Sequence, residues 1–571
     1  MQLVKLAWQR VESKMRQQVF ERASQTQFDI VVVGGGITGA GAVRDAARRG
    51  LRVAMVEADD IASGTSSRSS KLVHGGLRYL EQYEFSLVFE AVSERKTLQD
   101  IAPHLVNPLG FMFPIFDHSR VGVNTLRAGL WLYDGLSMFR SPKLHEAYSP
   151  KQAIEIEPLL TPKGLKGVPL YWDCATDDAR LTLETVLDAK QAGAQILTHA
   201  KVTGLMHNDN GRVCGVRVRD QLPDGLGEVE IRGTAVINAT GPWTDKLRAM
   251  ADEHGNLLAP TKGVHIVVPG DRLPIKYAVV INHPVDKRVL FAIPWGTETY
   301  IGTTDTYYEG DPAEVCADLA DIDYLIDAAN SYFPRAALQR EDVTSTWAGL
   351  RPLISQEGAS ESSVSREHEI HISKDGLITI AGGKLTTYRR MGGEVVSKAM
   401  DMIKMTQGFA DRPLEDPRTG REPLPGGVGW PEDDNADAVA ELVSQAAQGK
   451  LPEKTCLFMA ERYGTRGVDI AKMAVVDQRM LEPLVDSRPE ILALVDWAVT
   501  EELAQTVTDV MERRTQLFFR DRDQGLGAVE KVAQRMLELL GWSQARKVQE
   551  IVAYQAEVAM SRRWKDEIPV E

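Results

Sequence analysis

The chain has 571 residues, 43% hydrophobic and 26% charged, more than one compact core organises, so about three packed units are expected. A formal net charge of −14 argues against a nucleic-acid partner, because phosphate backbones are met by basic surfaces, yet a few local cations could still hold an anionic small substrate. No run of eighteen apolar residues occurs, so no membrane span is expected, and scattered Cys174, Cys214, Cys316 and Cys456 predict reduced buried thiols and no metal site.

Residues 1–24 read as a helical extension. Leu3, Val4, Ala7, Trp8, Val11 and Met15 recur at helical spacing, and Lys5, Arg10, Lys14, Arg16 and Arg22 oppose only Glu12 and Glu21. Such a segment either lies on an anionic membrane surface or docks its apolar stripe on the protein body. Lys14 and Arg22 project toward the apolar side, which favours docking. The order of basic, apolar and small residues that marks a signal peptide is absent, so a cytoplasmic location is expected.

Phe28–Val33 follows as a continuous apolar run, the pattern of a buried strand, and leads into Gly34, Gly36 and Gly39 as GxGxxG at the start of a helix running through Arg48. A second strand, Leu51–Val56, ends in Glu57. Each position has a chemical reason: Gly34 for the tight turn, Gly36 for approach of the backbone to a pyrophosphate, Gly39 for close packing of helix on strand. The helix N-terminus offers free N–H groups to that pyrophosphate, and Glu57 accepts from the hydroxyls of the adenosine ribose. A carboxylate at this place disfavours a 2′-phosphate, hence NADP.

Beyond this unit, strand and helix signals alternate, the mark of an α/β sheet. The middle third differs, with short strands such as Gly263–Val268, Val289–Pro294 and Tyr300–Thr304 and no long helix between them, which predicts an inserted antiparallel sheet. Ala235–Gly241 and Leu377–Gly383 are strands ending in small-residue turns, the second opening a fresh helix. A sheet that begins at the N-terminus and closes so late is typical of flavoproteins with the two-dinucleotide-binding fold, in which the late helix points its N-terminus at the flavin. FAD is therefore expected rather than NAD. Pro413 to Pro431, rich in Pro and Gly and followed by Glu432–Asp434, reads as an exposed linker, and the residues after it as helical.

The stretch Ser63–Leu80 carries Ser-Ser-Lys-Leu-Val-His-Gly-Gly-Leu-Arg-Tyr-Leu and is similar to the flavin-cradling loop of the FAD-dependent glycerol-3-phosphate dehydrogenases. The resemblance continues in order through Asn238–Trp243 (NATGPW), Lys262–Pro269 (KGVHIVVP), Ile293–Trp295 with Ile301–Asp305 (IPW, IGTTD), Gly349–Leu353 (GLRPL) and Gly382–Arg389 (GGKLTTYR), and into the tail at Arg462–Arg466 and Arg513–Thr515. It covers the chain apart from residues 1–24 and the Pro-rich stretch. It implies an α/β fold with an α+β insert: a two-dinucleotide-binding FAD domain over 25–408 (mainly 25–100, 170–250 and 345–408), an interleaved antiparallel-sheet substrate domain (mainly 100–170 and 250–345), a linker at 409–435 and an all-helical cap at 436–571.

The activity implied by the resemblance is oxidation of glycerol 3-phosphate to dihydroxyacetone phosphate, with electrons passed to a membrane quinone by a peripheral enzyme, a homodimer being an open alternative to a monomer. An oxidase using oxygen and an amino-acid or sarcosine-type oxidase stay open as alternatives. A base that titrates near neutrality must take the C2 hydroxyl proton; His74 and His265 are the candidates, with a structural histidine as the competing reading for each. The resemblance places Arg78, Tyr79, Lys262, Arg351, Arg366 and Lys384 on the substrate, with Arg78, Arg351 and Lys384 also counted as catalytic. An ordinary surface ion pair is the alternative for Arg366. Toward FAD it implies Gly34, Gly36, Gly39, Glu57, Ser67, Ser70, Lys71, Leu72, His74, Gly75, Gly76, Val202, Thr240, Gly241, Trp243, Gly383, Lys384, Leu385 and Thr386.

Overall fold

The computed structural model describes residues 16–77, 84–136, 142–355, 367–406 and 413–568. Two sheets organise them. In the first, the buried run Gln27–Val33 lies parallel between Val53–Val56 and Glu228–Asn238, and Ile378–Gly382 pairs in parallel with the far side of Glu228–Asn238. A strand within the chain's late segment thus completes a sheet begun at its start, as the two small-residue turns implied. Helices Ile37–Arg48, Asp178–Gln191 and Tyr388–Thr406 pack on one face. The antiparallel strands Ala200–His207 and Val213–Asp220 flank the other.

Phe20 and Ala23, from the helix preceding the first strand, are buried on that second face, and the Arg16 guanidinium pairs with Asp220 at 2.8 Å. The described end of the extension is therefore docked on the body, whereas Arg22 is exposed. The apolar stripe from Leu3 to Met15 lies outside the described residues.

Among the described residues the second sheet has eleven strands and is antiparallel except where Ala278–Asn282 meets Val106–Met112. Alternation along Thr261–Pro269 sorts its side chains. Val264, Ile266 and Val268 face the core shared with helix Leu319–Tyr332, and Val267 faces the opposite way. Two boundaries differ from expectation. Leu165–Thr176 and Ser345–Arg351 both belong to this sheet, not to the cofactor sheet, because partners distant in sequence claim their edges.

The tail is helical, from Ala436–Ala446 to Gln544–Ser561, with a π-helical turn at Asp509–Arg514. It is not a detached cap. One apolar cluster joins Leu494, Val510 and Phe519 of the tail to Val267, Tyr300 and Trp347 of the second sheet. The stretch read as an exposed linker is likewise packed where it is described. Thr419, Leu424 and Gly426 are buried, the Leu424 N–H donates to Ile101 O at 2.7 Å and the Gly426 N–H to Glu184 at 3.0 Å. Proline and glycine there shape a tight path along the surface of the first domain instead of a loose tether. Among the described residues no helix is long and apolar enough to cross a membrane.

Candidate active site

A cleft of about 950 Å³ runs along the carboxyl ends of the first sheet's strands and reaches the edge of the second. Its first wall is the glycine-rich turn. Gly34 has φ +111°, and a Cβ on it would meet the Ala239 carbonyl oxygen at 2.5 Å; a Cβ on Gly39 would lie 2.0 Å from the Gly34 oxygen. Both positions exclude a side chain for the reasons the motif demands. Gly36, Ile37 and Thr38 line the cleft at the helix N-terminus, where Ser66 Oγ accepts from the Ile37 N–H at 2.8 Å.

Glu57 accepts from the Gly35 N–H at 2.5 Å and the Asp59 N–H at 2.9 Å. Burial pushes its carboxyl up to about 7, with Asp59 and Asp60 adding to the rise and the two N–H donors opposing it. Val202, Thr240, Gly241 and Trp243 line the cleft beside it.

At the far end Ser70, Leu72 and His74 face Gly383, Lys384 and Leu385 across the cleft. Thr386 ties the two sides together, its hydroxyl accepting from the His74 N–H and donating to the His74 carbonyl, both at 3.2 Å. Gly75 donates its N–H to Tyr133 Oη and Asp173, and Gly76 takes φ +74°. Arg351, at the end of its strand, closes the wall. Its guanidinium pairs with Asp305 at 3.0 Å and donates to Thr303 Oγ1 and the Thr304 carbonyl. Those contacts fix a planar donor fork on the cleft, poised for a carboxylate or phosphate.

A family described as FAD dependent oxidoreductase matches residues 29–389, and one described as the C-terminal domain of alpha-glycerophosphate oxidase matches residues 417–547. The chain is 36% identical to the aerobic glycerol-3-phosphate dehydrogenase of Staphylococcus saprophyticus, over 93% of this chain and 94% of that one. It is 37% identical to glycerol-3-phosphate dehydrogenase 2 of Mycobacterium tuberculosis, over 94% of this chain and 89% of that one. The X-ray structure of the glycerol-3-phosphate dehydrogenase from Bacillus halodurans, complexed with FAD, superposes with a TM-score of 0.79 at 32% identity, covering 98% of this chain and all of that one. This chain belongs to the FAD-dependent glycerol-3-phosphate dehydrogenase family.

Within this family member, the cleft has what FAD requires: a turn with no room for side chains, a helix N-terminus, and a carboxyl beyond the second strand. Several residues expected at the site stand elsewhere. Lys262 is one position out of phase with His265's face of the strand; its ammonium bridges Asp318 at 2.6 Å and Asp321 at 2.7 Å at the start of helix Leu319–Tyr332, away from the cleft. Lys71 points into the protein, bonded to Asp178 at 2.7 Å and the Ser67 carbonyl, with the rings of Trp347 and Phe519 at 5.2 and 5.5 Å. Lys71 and Ser67 thus shape the loop from behind, and Gly39, Gly75, Gly76 and Thr386 likewise do not line the cleft.

His265 does not line the cleft. It is 2% exposed, stacked on Trp347 and bonded to Ser70 Oγ at 2.9 Å. Burial, then the charges of Arg351 and Lys71, hold its pKa well below the usual 6.5, which favours the neutral imidazole. Arg78, Tyr79 and Arg366 lie outside the described residues. Ser66 and Arg68, which the sequence reading did not single out, line the cleft. Both sit inside the serine-rich stretch, but nothing local in their pattern tells a cleft-facing side chain from its neighbours.

Proposed function

We propose that this cleft binds FAD along its length and glycerol 3-phosphate at its flavin end, with Arg351 and Lys384 on the phosphate and His74 as acceptor of the C2 hydroxyl proton. The reaction is oxidation of glycerol 3-phosphate to dihydroxyacetone phosphate, in which bound FAD takes the hydride from C2. The observation that carries the assignment is the tethered guanidinium of Arg351 on the same cleft as His74 and the Gly382–Leu385 turn. His74 lines the cleft whereas His265 is buried, which supports His74, and Thr386 holds its backbone on both sides. Anaerobic addition of glycerol 3-phosphate to the holoenzyme should bleach the flavin absorbance and yield dihydroxyacetone phosphate, while glycerol at the same concentration should not. A flavin that stays oxidised would overturn the reading.

We further propose a membrane quinone as electron acceptor. Of the basic residues in 1–24, Arg16 is held by Asp220, and the others support attachment to an anionic surface, where each cation adds about 1 kcal/mol. The two relatives named above are called dehydrogenases. Stoichiometric peroxide with no quinone reduction would favour the oxidase alternative.

The Glu57 carboxyl yields a pH prediction. With its pKa at about 7 in the apoprotein it is largely protonated on the acid side of neutrality. Ribose hydroxyls donate to the ionised form and so favour it, and FAD affinity should rise with pH across roughly 6 to 8. Glu57→Gln should flatten that rise. Fluorescence titration of apoprotein with FAD at several pH values checks both.

A further inference from the structure

The structure assigns Arg513 and Arg514, on the π-helical turn of the C-terminal helical domain, as positioning residues that hold the Glu57–Ser63 loop in its FAD-binding shape, so that this domain and the cofactor stabilise each other. The inference rests on the reading of Glu57 as the ribose acceptor.

Asp60, three residues beyond Glu57, is completely buried. It accepts from Arg513 Nε at 2.6 Å and from both terminal nitrogens of Arg514 at 2.6 and 2.8 Å. Two guanidinium groups converging on one carboxylate fix both its position and its plane. The loop they seize is wound around the cofactor turn. Ser63 N–H donates to Asp60 O, Ala62 N–H to Gly35 O, and Gly35 N–H in turn to the Glu57 carboxylate. Ala62 sits at φ +65°, a conformation that an alanine holds only when its surroundings impose it.

The same turn grips the other side of Glu57. Asp509 is 3.0 Å from His199 Nε2, and the main chain of that histidine runs back to the loop: His199 N–H donates to Asp59 O at 2.6 Å and Ala200 N–H to Glu57 O at 2.7 Å. Burial alone would depress His199, but Asp509, with Asp59 and Asp60, holds it up to about 9, so the pair is ionic at neutral pH. Asp509 and Glu512 also pair with Arg513, and Glu512 reaches Arg68 on the cleft wall at 3.5 Å. Three residues of this six-residue turn, Asp509, Arg513 and Arg514, therefore hold the ribose-facing segment from two directions. The segment Asp509–Arg514 is π-helical, a conformation frequent at functional sites.

Because FAD must find the loop already shaped, any state in which the turn lets go binds it poorly, and by reciprocity bound FAD must tighten the turn. In the wild-type chain, adding FAD to apoprotein should slow amide hydrogen exchange across 502–515, tens of residues from any cleft-lining glycine in sequence; unchanged exchange there would overturn the proposal. Arg514→Met, and the milder Arg514→Lys and His199→Gln, should weaken FAD by about 10- to 100-fold, the size of an ordinary coupling between sites. They should also shrink the rise in melting temperature that FAD confers. Variants that melt earlier but keep wild-type FAD affinity would show a merely structural role. Glu57→Ala is the control: if it leaves FAD binding unchanged, the ribose assignment itself fails, whereas weakening by Glu57→Ala alone would defeat only the clamp.

Discussion

Replacement of Arg351 by leucine is expected to reduce kcat/KM for glycerol 3-phosphate by about 2–5 kcal/mol, the penalty for removing one partner of a desolvated charge pair. The size follows from where the guanidinium stands. Asp305, Thr303 and Thr304 spend three of its contacts on orientation and leave its exposed quarter facing the cleft. Without it a dianionic phosphate meets Asp305 instead, a carboxylate that repels it. Arg351→Lys should also be impaired, because one ammonium cannot satisfy both Asp305 and a phosphate with fork geometry. Flavin content should be normal in both. A phosphate-reading site discriminates against a substrate lacking that group by ~10⁴-fold or more, so the ratio of activities on glycerol 3-phosphate and glycerol should collapse in the variant. An unchanged ratio would place the phosphate elsewhere.

The second large effect is expected at Arg180, which is wholly buried. Its guanidinium lies 2.6 Å from Glu502 of the C-terminal domain and 3.4 Å from Glu184 on its own helix, above the ring of Tyr463. Arg180→Met should lower stability by about 3–5 kcal/mol, since it strands a carboxylate inside the interface. Adding Glu502→Gln should recover much of the loss by removing the unpaired charge. The denaturant midpoint of single and double variants measures this. A single variant as stable as the wild type would mean that the pair adds nothing to domain docking. Neighbouring pairs of the same kind, Arg462 with Asp177 and Arg488 with Glu298 at 2.7 Å, make the interface ionic as well as apolar.

That ionic interface ties the C-terminal helices to the rest of the protein, where an exposed linker followed by a separate cap was expected. The Pro-rich run from Pro413 to Pro431 has the composition of a tether, but composition reports only which conformations the backbone favours. Arg44, buried in the first helix of the cofactor domain, donates to the carbonyls of Thr419 and Glu422 and binds the run down. Composition cannot reveal a donor nearly four hundred residues away.

The sequence by itself determined the cofactor turn, the carboxyl at Glu57 and the order of the family segments. Each of these is local: a strand, three glycines and a second strand fold into one geometry within some thirty residues, whatever surrounds them. It also determined that strand residues alternate in facing, but not which face of Thr261–Pro269 meets the cofactor. Only the pairing of that strand with Ser345–Arg351 and its packing on helix Leu319–Tyr332 turned Lys262 away and sealed His265 against Trp347. The lowered pKa of His265 and the raised one of Glu57 arise first from burial, which belongs to the assembled molecule and not to a residue. The grip of Arg514 on Asp60 spans 454 positions of sequence. Such contacts are decided when whole domains close on one another, because a charge removed from water is stable only where an opposite charge is already in place.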